Sequence, residues 1–87
     1  MPAKYKIIVP NSVKKSLAAI PLLWRNRIME AIDLLSENPF MGEKLWGKLQ
    51  GKRKIRIHPY RIIYEIDKMG RIIIILETGH YQIIYLI

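Results

Sequence analysis

Residues 52–64 read KRKIRIHPYRIIY. The cations Lys52, Arg53, Lys54, Arg56 and Arg61 fall among apolar residues, and no acid appears until Glu65. Successive side chains of a strand point to opposite faces, so Ile55 and Ile57 share one face while Lys54, Arg56 and His58 share the other. Pro59 breaks the run, and Tyr60-Arg61-Ile62-Ile63-Tyr64 resumes it. Two such strands in succession imply a sheet packed on one side and basic on the other, with aromatic rings beside it. Such a front suits a polyanion.

Downstream, residues 65–67 continue the second strand, and Lys68-Met69-Gly70 makes a tight connection in which Gly70 is the residue able to take a positive φ. Residues 71–76 are so uniformly apolar after Arg71 that both faces of the strand should be covered, which makes it the central one. Residues 77–80, ETGH, then leave the sheet, and residues 82–87 form a last short strand.

Upstream, residues 4–9, KYKIIV, are a β-branched run closed by Pro10 and read as a strand. Asn11-Ser12 offers an N-cap to a helix with Val13, Leu17 and Ile20 on one face. Pro21 ends that helix or opens the next. Over residues 22–35, Trp24, Ile28, Ile32 and Leu35 make one apolar stripe, the clearest helix in the chain. On such a stripe Trp24 reads as core, not as a base-stacking residue. Ser36-Glu37-Asn38-Pro39 stops the helix, because the residue before proline avoids helical angles. Residues 40–51, FMGEKLWGKLQG, have no clean period and read as a loop, tacked to the core by Leu45, Trp46 and Leu49. Lys44 and Lys48 extend the basic patch. The expected fold is α+β, in the order β-α-α-β-β-β-β: one domain over residues 1–87, an antiparallel sheet covered on one face by two N-terminal helices.

The balance of 15 Lys and Arg against 7 acids gives a formal net charge of +8. Seven of those cations lie between Lys44 and Arg61 with no acid among them, so the charge is a patch. A surplus this large favours an acidic partner, nucleic acid first. There is no cysteine, which fits a reducing, cytoplasmic location. Only two histidines are present, so a His-built metal site is not expected, and nothing calls for a cofactor. No apolar run approaches the ~20 residues of a membrane span, and the opening MPAKYKIIVP has charges where a signal peptide is apolar.

Gly-rich phosphate loops, cysteine nucleophiles and HExxH motifs are missing from the sequence. What remains is cations, two His and five Tyr. That set suits phosphoryl transfer within RNA, in which a base takes the 2′-hydroxyl proton, cations hold the pentavalent phosphate and an acid protonates the leaving 5′-oxygen. A Tyr or Lys among positive charges can serve as the base, and no metal is needed.

Three stretches carry a family resemblance: KYKIIVPNSVKKSLAAIP over 4–21, NPFMGEKLWGKLQGKRKIRIHPYRIIYEID over 38–67 and ETGHYQIIY over 77–85. The most specific is IHPYRIIYEID followed by an apolar strand and Gly-His. The whole chain resembles toxins of the RelE/ParE superfamily, from type II toxin–antitoxin systems. That resemblance implies a fold related to small microbial ribonucleases. RelE-like members cut mRNA in the ribosomal A site, leaving a cyclic phosphate, and inhibit translation. ParE-like members poison DNA gyrase and cleave nothing. By resemblance to the RelE-like ribonucleases, Lys54 and Arg56 would bind phosphate, with Lys54 a candidate proton acceptor. Arg61 would stabilise the transition state, and Tyr85 would act as base or stack on a base. Lys44, Lys48, Lys52 and Arg53 would bind RNA around them. The implied partner is a cognate acidic, RelB-like antitoxin lying over the basic patch in a hetero-oligomer.

One position departs from the family. Where an arginine commonly follows the Gly-His or Gly-Lys of the last turn, this chain has Tyr81. Tyrosine supplies no fixed positive charge, so the departure implies weakened cleavage, a share of the role taken by His80, or an inactivated variant. The rival functions are the gyrase inhibitor and a non-catalytic nucleic-acid or ribosome binder. Blander readings stand beside these roles. Arg61 with Glu65 or Asp67 is an ordinary ion pair worth ~0–1 kcal/mol. Tyr60 and Tyr64 share a face with Ile62 and Ile66 and read as core, and His58 beside Pro59 reads as a turn residue.

Overall fold

The fold is known from a computed structural model, which describes residues 4–80. In chain order it runs β1 (Lys6–Ile8), α1 (Asn11–Ala18), α2 (Leu22–Leu35), β2 (Glu43–Lys44), a 3₁₀ turn (Gly47–Leu49), β3 (Lys52–Ile57), β4 (Tyr60–Asp67) and β5 (Ile72–His80). The strands form one sheet in the order β1-β5-β4-β3-β2.

The expected helices and the basic hairpin are present, but the sheet is mixed. β1 pairs with β5 in parallel, while β2–β3, β3–β4 and β4–β5 are antiparallel. The reason is the connection: only hairpin turns force antiparallel neighbours, and β1 returns to the sheet through two helices. Three further expectations are corrected. Residues 77–80 stay in the sheet as the end of β5, which pairs through Tyr60–His80. The middle strand of the five is β4, with β5 between it and β1. The loop over residues 40–51 contributes the short edge strand β2. The strand expected over residues 82–87 lies outside the described residues.

Helix α1 starts after Pro10 with no side-chain cap, and Asn11 and Ser12 occupy its first turn. Its C-terminus is finished from the next helix. Arg25 Nη2 donates to the carbonyls of Ala18 and Ile20, each at 3.1 Å. A guanidinium there meets orphan carbonyls and the negative end of the helix dipole together. Pro21 opens α2, whose Ile28, Ala31, Ile32 and Leu35 are buried. At the far end of α2 the Ser36 hydroxyl donates to Tyr5 O at 3.1 Å while Tyr5 N donates to Ser36 O at 2.9 Å, tying the entry to β1.

The core lies between the helices and one face of the sheet. Val13, Leu17, Ile20, Ile28, Ile32 and Leu35 meet Ile62, Tyr64, Ile73 and Ile75, with Ile7, Trp24, Ile55, Ile57, Tyr60 and Ile66 packed at its margin. Each of these strand residues has the parity that its strand's period demands. A register shift between Ile63 and Tyr64 leaves Leu76 as the extra residue of β5. The bulge keeps Tyr64 and Ile75 on the core face after Ile62 and Thr78, although the spacing on β5 is odd.

At the β4–β5 turn the positive φ falls on Arg71 (54°), not on Gly70. Gly70 N donates to Asp67 Oδ1 at 3.1 Å, and Lys6 N donates to Arg71 O at 2.9 Å. The turn is thus held from Asp67 and from β1. Among the described residues, no helix is long and apolar enough to cross a membrane.

Candidate nucleic-acid interface

The open face of the sheet carries its side chains in cross-strand rows, because paired residues point the same way. The first row is Arg56–Arg61–Gly79 from β3, β4 and β5. The second is Lys54–Ile63–Glu77 and the third is Lys52–Glu65–Ile74. Charge therefore changes along the sheet: the row nearest the β3–β4 turn holds cations alone, and each later row includes an acid.

Directly opposed residues stand about 4.5–5.5 Å apart and diagonal ones about 7–8 Å. Lys54, Arg56 and Arg61 are thus neighbours on one face of the β3–β4 hairpin. Arg56 is exposed, but Arg61 is buried at 3% relative exposure. Lys54 is half-buried, and its Nζ lies 3.6 Å from Glu43 Oε2 on β2. Sequence reasoning missed Glu43. The pairing Glu43–Lys54 depends on β2, and the loop's lack of period concealed that strand.

The other expected RNA-binding cations do not all join this face. Arg53 pairs in register with Tyr64 and so belongs to the core side. Its Nη1 donates to Gly42 O at 2.7 Å and to Phe40 O at 3.3 Å, and its guanidinium carbon sits 5.1 Å from the Phe40 ring centre. Its parity with Ile55 and Ile57 was the available signal. Lys52 lies on the open face opposite Glu65. Lys44 and Lys48 are exposed on β2 and the 3₁₀ turn. His80 pairs with Tyr60 on the core side, their rings edge to face with centres 5.9 Å apart, so the structure does not bring it to the cationic row. His58 lies in the β3–β4 turn. Tyr81 and Tyr85 lie outside the described residues.

The loop is fixed differently from expectation. Leu45 is half-buried, but Trp46 is 73% exposed and Leu49 is exposed as well. The tack comes instead from the buried Tyr64 hydroxyl, which donates to Pro39 O at 2.8 Å and accepts from Gly42 N at 3.0 Å. Burial pushes the Tyr64 phenol above its ordinary value, offset in part by the Gly42 N–H and the Arg53 charge. Among the described residues no group of three or more His, Asp and Glu could hold a metal ion.

These features define a class: a small α+β domain that carries a cationic row on the face of its sheet opposite the helices. The chain belongs to the family described as the ParE toxin of type II toxin–antitoxin systems, parDE, whose model matches residues 7–85. It is a toxin of the RelE/ParE type. Solved structures agree on the fold. The Mycobacterium tuberculosis toxin–antitoxin complex RelBE2 has a chain 25% identical over 88% of this one and 98% of its own, at a TM-score of 0.80. In the archaeal RelE–RelB complex from Pyrococcus horikoshii the match is 24% identical over 88% and 94%, at 0.73. The isolated Escherichia coli RelE toxin is 15% identical over 95% and 99%, at 0.77. No curated protein matches the sequence.

Proposed function

We propose that this toxin is a RelE-like endoribonuclease that cuts mRNA in the ribosomal A site and so stops translation. The observation that carries the reading is the Arg56–Arg61 pair with Lys54 diagonal to it on the open face. Two guanidiniums opposed across the hairpin concentrate positive charge in one row, which suits a polyanion. RNA cleavage by its own 2′-hydroxyl would use the row as follows. Lys54 takes or orients the attacking proton, Arg56 holds a non-bridging oxygen, and the buried Arg61 faces the charge that grows on the phosphorane. The products are a 2′,3′-cyclic phosphate and a free 5′-hydroxyl, the latter protonated by a tyrosine, with Tyr81 and Tyr85 the candidates.

An acidic antitoxin partner accords with the net charge of +8 and with the toxin–antitoxin complexes among the similar structures. Its acidic segment would neutralise the cationic row, giving a cytoplasmic hetero-oligomer. The family model keeps a second reading in play, a ParE-like inhibitor of DNA gyrase.

The test adds the purified toxin separately to mRNA-programmed ribosomes and to gyrase with supercoiled plasmid. Cut mRNA with unaltered plasmid is the expected result. Intact mRNA with accumulated gyrase-cleaved DNA would overturn the proposal in favour of the second reading.

A further inference from the structure

A second cationic site lies at the opposite end of β3. The loop over residues 40–51 lines a half-open pocket of about 280 Å³. Phe40, Trp46, Lys44, Lys52, Arg53 and Lys68 are among its lining, which includes no acidic residue. Two of these cations already share an aromatic partner: Arg53 lies 5.1 Å and Lys68 Nζ lies 5.4 Å from the Phe40 ring centre. The Trp46 ring, by contrast, is 73% exposed.

Ordered backbone holds Trp46 in that position. On one side Leu45 N donates to Lys52 O at 2.9 Å. On the other, Leu49 N donates to Trp46 O at 3.4 Å and Gln50 N to Gly47 O at 3.1 Å. Gly47 takes a φ of 66°, which a side chain would resist, and so turns the chain immediately after the ring. A large apolar ring presented to water by a fixed loop, in a pocket that four cations also line, has the composition of a single-strand subsite. The ring offers a stacking platform, and the cations take the backbone phosphate.

We infer that this pocket binds an unstacked nucleotide of single-stranded RNA, its base on Trp46 and its phosphate among Lys44, Lys52, Arg53 and Lys68. The inference rests on the RNA-directed reading above and extends it to a site outside the cationic row. β3 connects the two. From Lys52 to Arg56 is four strand residues, about 13 Å. A single strand a few nucleotides long covers that distance, with one phosphate at Arg56 and Arg61 and a nucleotide further along it on Trp46. An acidic peptide would meet the same cations but leave the ring without a stacking partner, which is why RNA is the better fit.

The test is the affinity of a labelled 2′-O-methyl hexanucleotide, which lacks the attacking hydroxyl and stays intact, for the wild-type toxin, Trp46→Ala, Trp46→Tyr and the double variant Lys44→Gln/Lys68→Gln. Trp46 is exposed, so its replacement leaves the core untouched. Trp46→Ala should weaken binding roughly 5- to 150-fold, the range that loss of one stacked base gives, and Trp46→Tyr should restore most of it. The double variant should make the salt dependence shallower by about 1.4 in log–log slope. Equal affinity of wild type and Trp46→Ala would overturn the inference. Cleavage on programmed ribosomes is read separately: Trp46-dependent binding without cleavage sinks the ribonuclease reading alone, and cleavage with Trp46-independent binding sinks this subsite alone.

Discussion

Arg56 and Arg61 are direct cross-strand partners on β3 and β4, on the face of the sheet that the helices leave open. Arg61 is nearly inaccessible and Arg56 is exposed. Opposed like charges cost stability, on the order of a few tenths of a kcal/mol up to ~1.

Arg56→Gln should therefore move stability and binding in opposite directions. Urea unfolding should show the variant equal to or a few tenths of a kcal/mol above wild type, because the repulsion is relieved. Its affinity for single-stranded RNA should fall, and the log–log salt slope should become shallower by about 0.7, one phosphate contact. Lower stability together with unchanged RNA affinity would make Arg56 a structural residue.

Tyr64 closes the loop onto the sheet through Pro39 O and Gly42 N. Tyr64→Phe leaves both backbone groups without that partner and should cost about 1–3 kcal/mol. The phenol's pKa is raised in the folded state, so the folded protein binds its proton more tightly than the unfolded chain does. Stability from this group is complete below the ordinary value of 10.0 and declines as pH rises beyond it. Unfolding free energies measured from pH 8 to 11 should fall at the alkaline end for wild type and fall less for Tyr64→Phe. Parallel curves would remove Tyr64 as the titrating group.

Gly42 packs the loop tightly against Tyr64 and β3. A Cβ there would lie 2.5 Å from the Tyr64 hydroxyl and 2.8 Å from Lys54 O. One of these is backbone of β3, so the loop has to lift away. Gly42→Ala should destabilise by about 1–3 kcal/mol, as overpacking does, and loosen the Arg53 contact to Gly42 O. Thermal unfolding and hydrogen exchange at Leu45 N would register both effects, and a variant as stable as wild type would show that the loop adjusts freely.

Tyr81 stands where the resemblance to RelE-like toxins leads to the expectation of an arginine. If the missing charge limits turnover, Tyr81→Arg should raise A-site cleavage about 10²-fold, the order of effect of a single transition-state donor. Equal rates would assign the full activity to the residues already present.

The sequence made the two faces of the 52–64 stretch legible because period two is a strong signal and both strands obey it. Trp24, Tyr60 and Tyr64 were readable as core for the same reason. Arg53 was readable too, since it alternates with Lys54, but charge composition drew it into the patch. β1 was recognisable as a strand, yet its parallel pairing with β5 is a long-range choice that no local pattern encodes. The loop around Trp46 hid most. Its bonds run to Tyr64, Arg53 and Lys52, so neither the strand β2 nor the aromatic–cationic cavity leaves a periodic trace.

The most direct test of the central claim is primer extension on an mRNA held in programmed ribosomes, comparing wild type with Arg61→Gln and Arg56→Gln. The account predicts cuts at the A-site codon by wild type, and a loss of about 10²-fold or more when Arg61 is neutralised, the scale of removing one preorganised transition-state donor. Cuts of equal strength from wild type and both variants would contradict it, because the opposed arginines would then have no part in the chemistry.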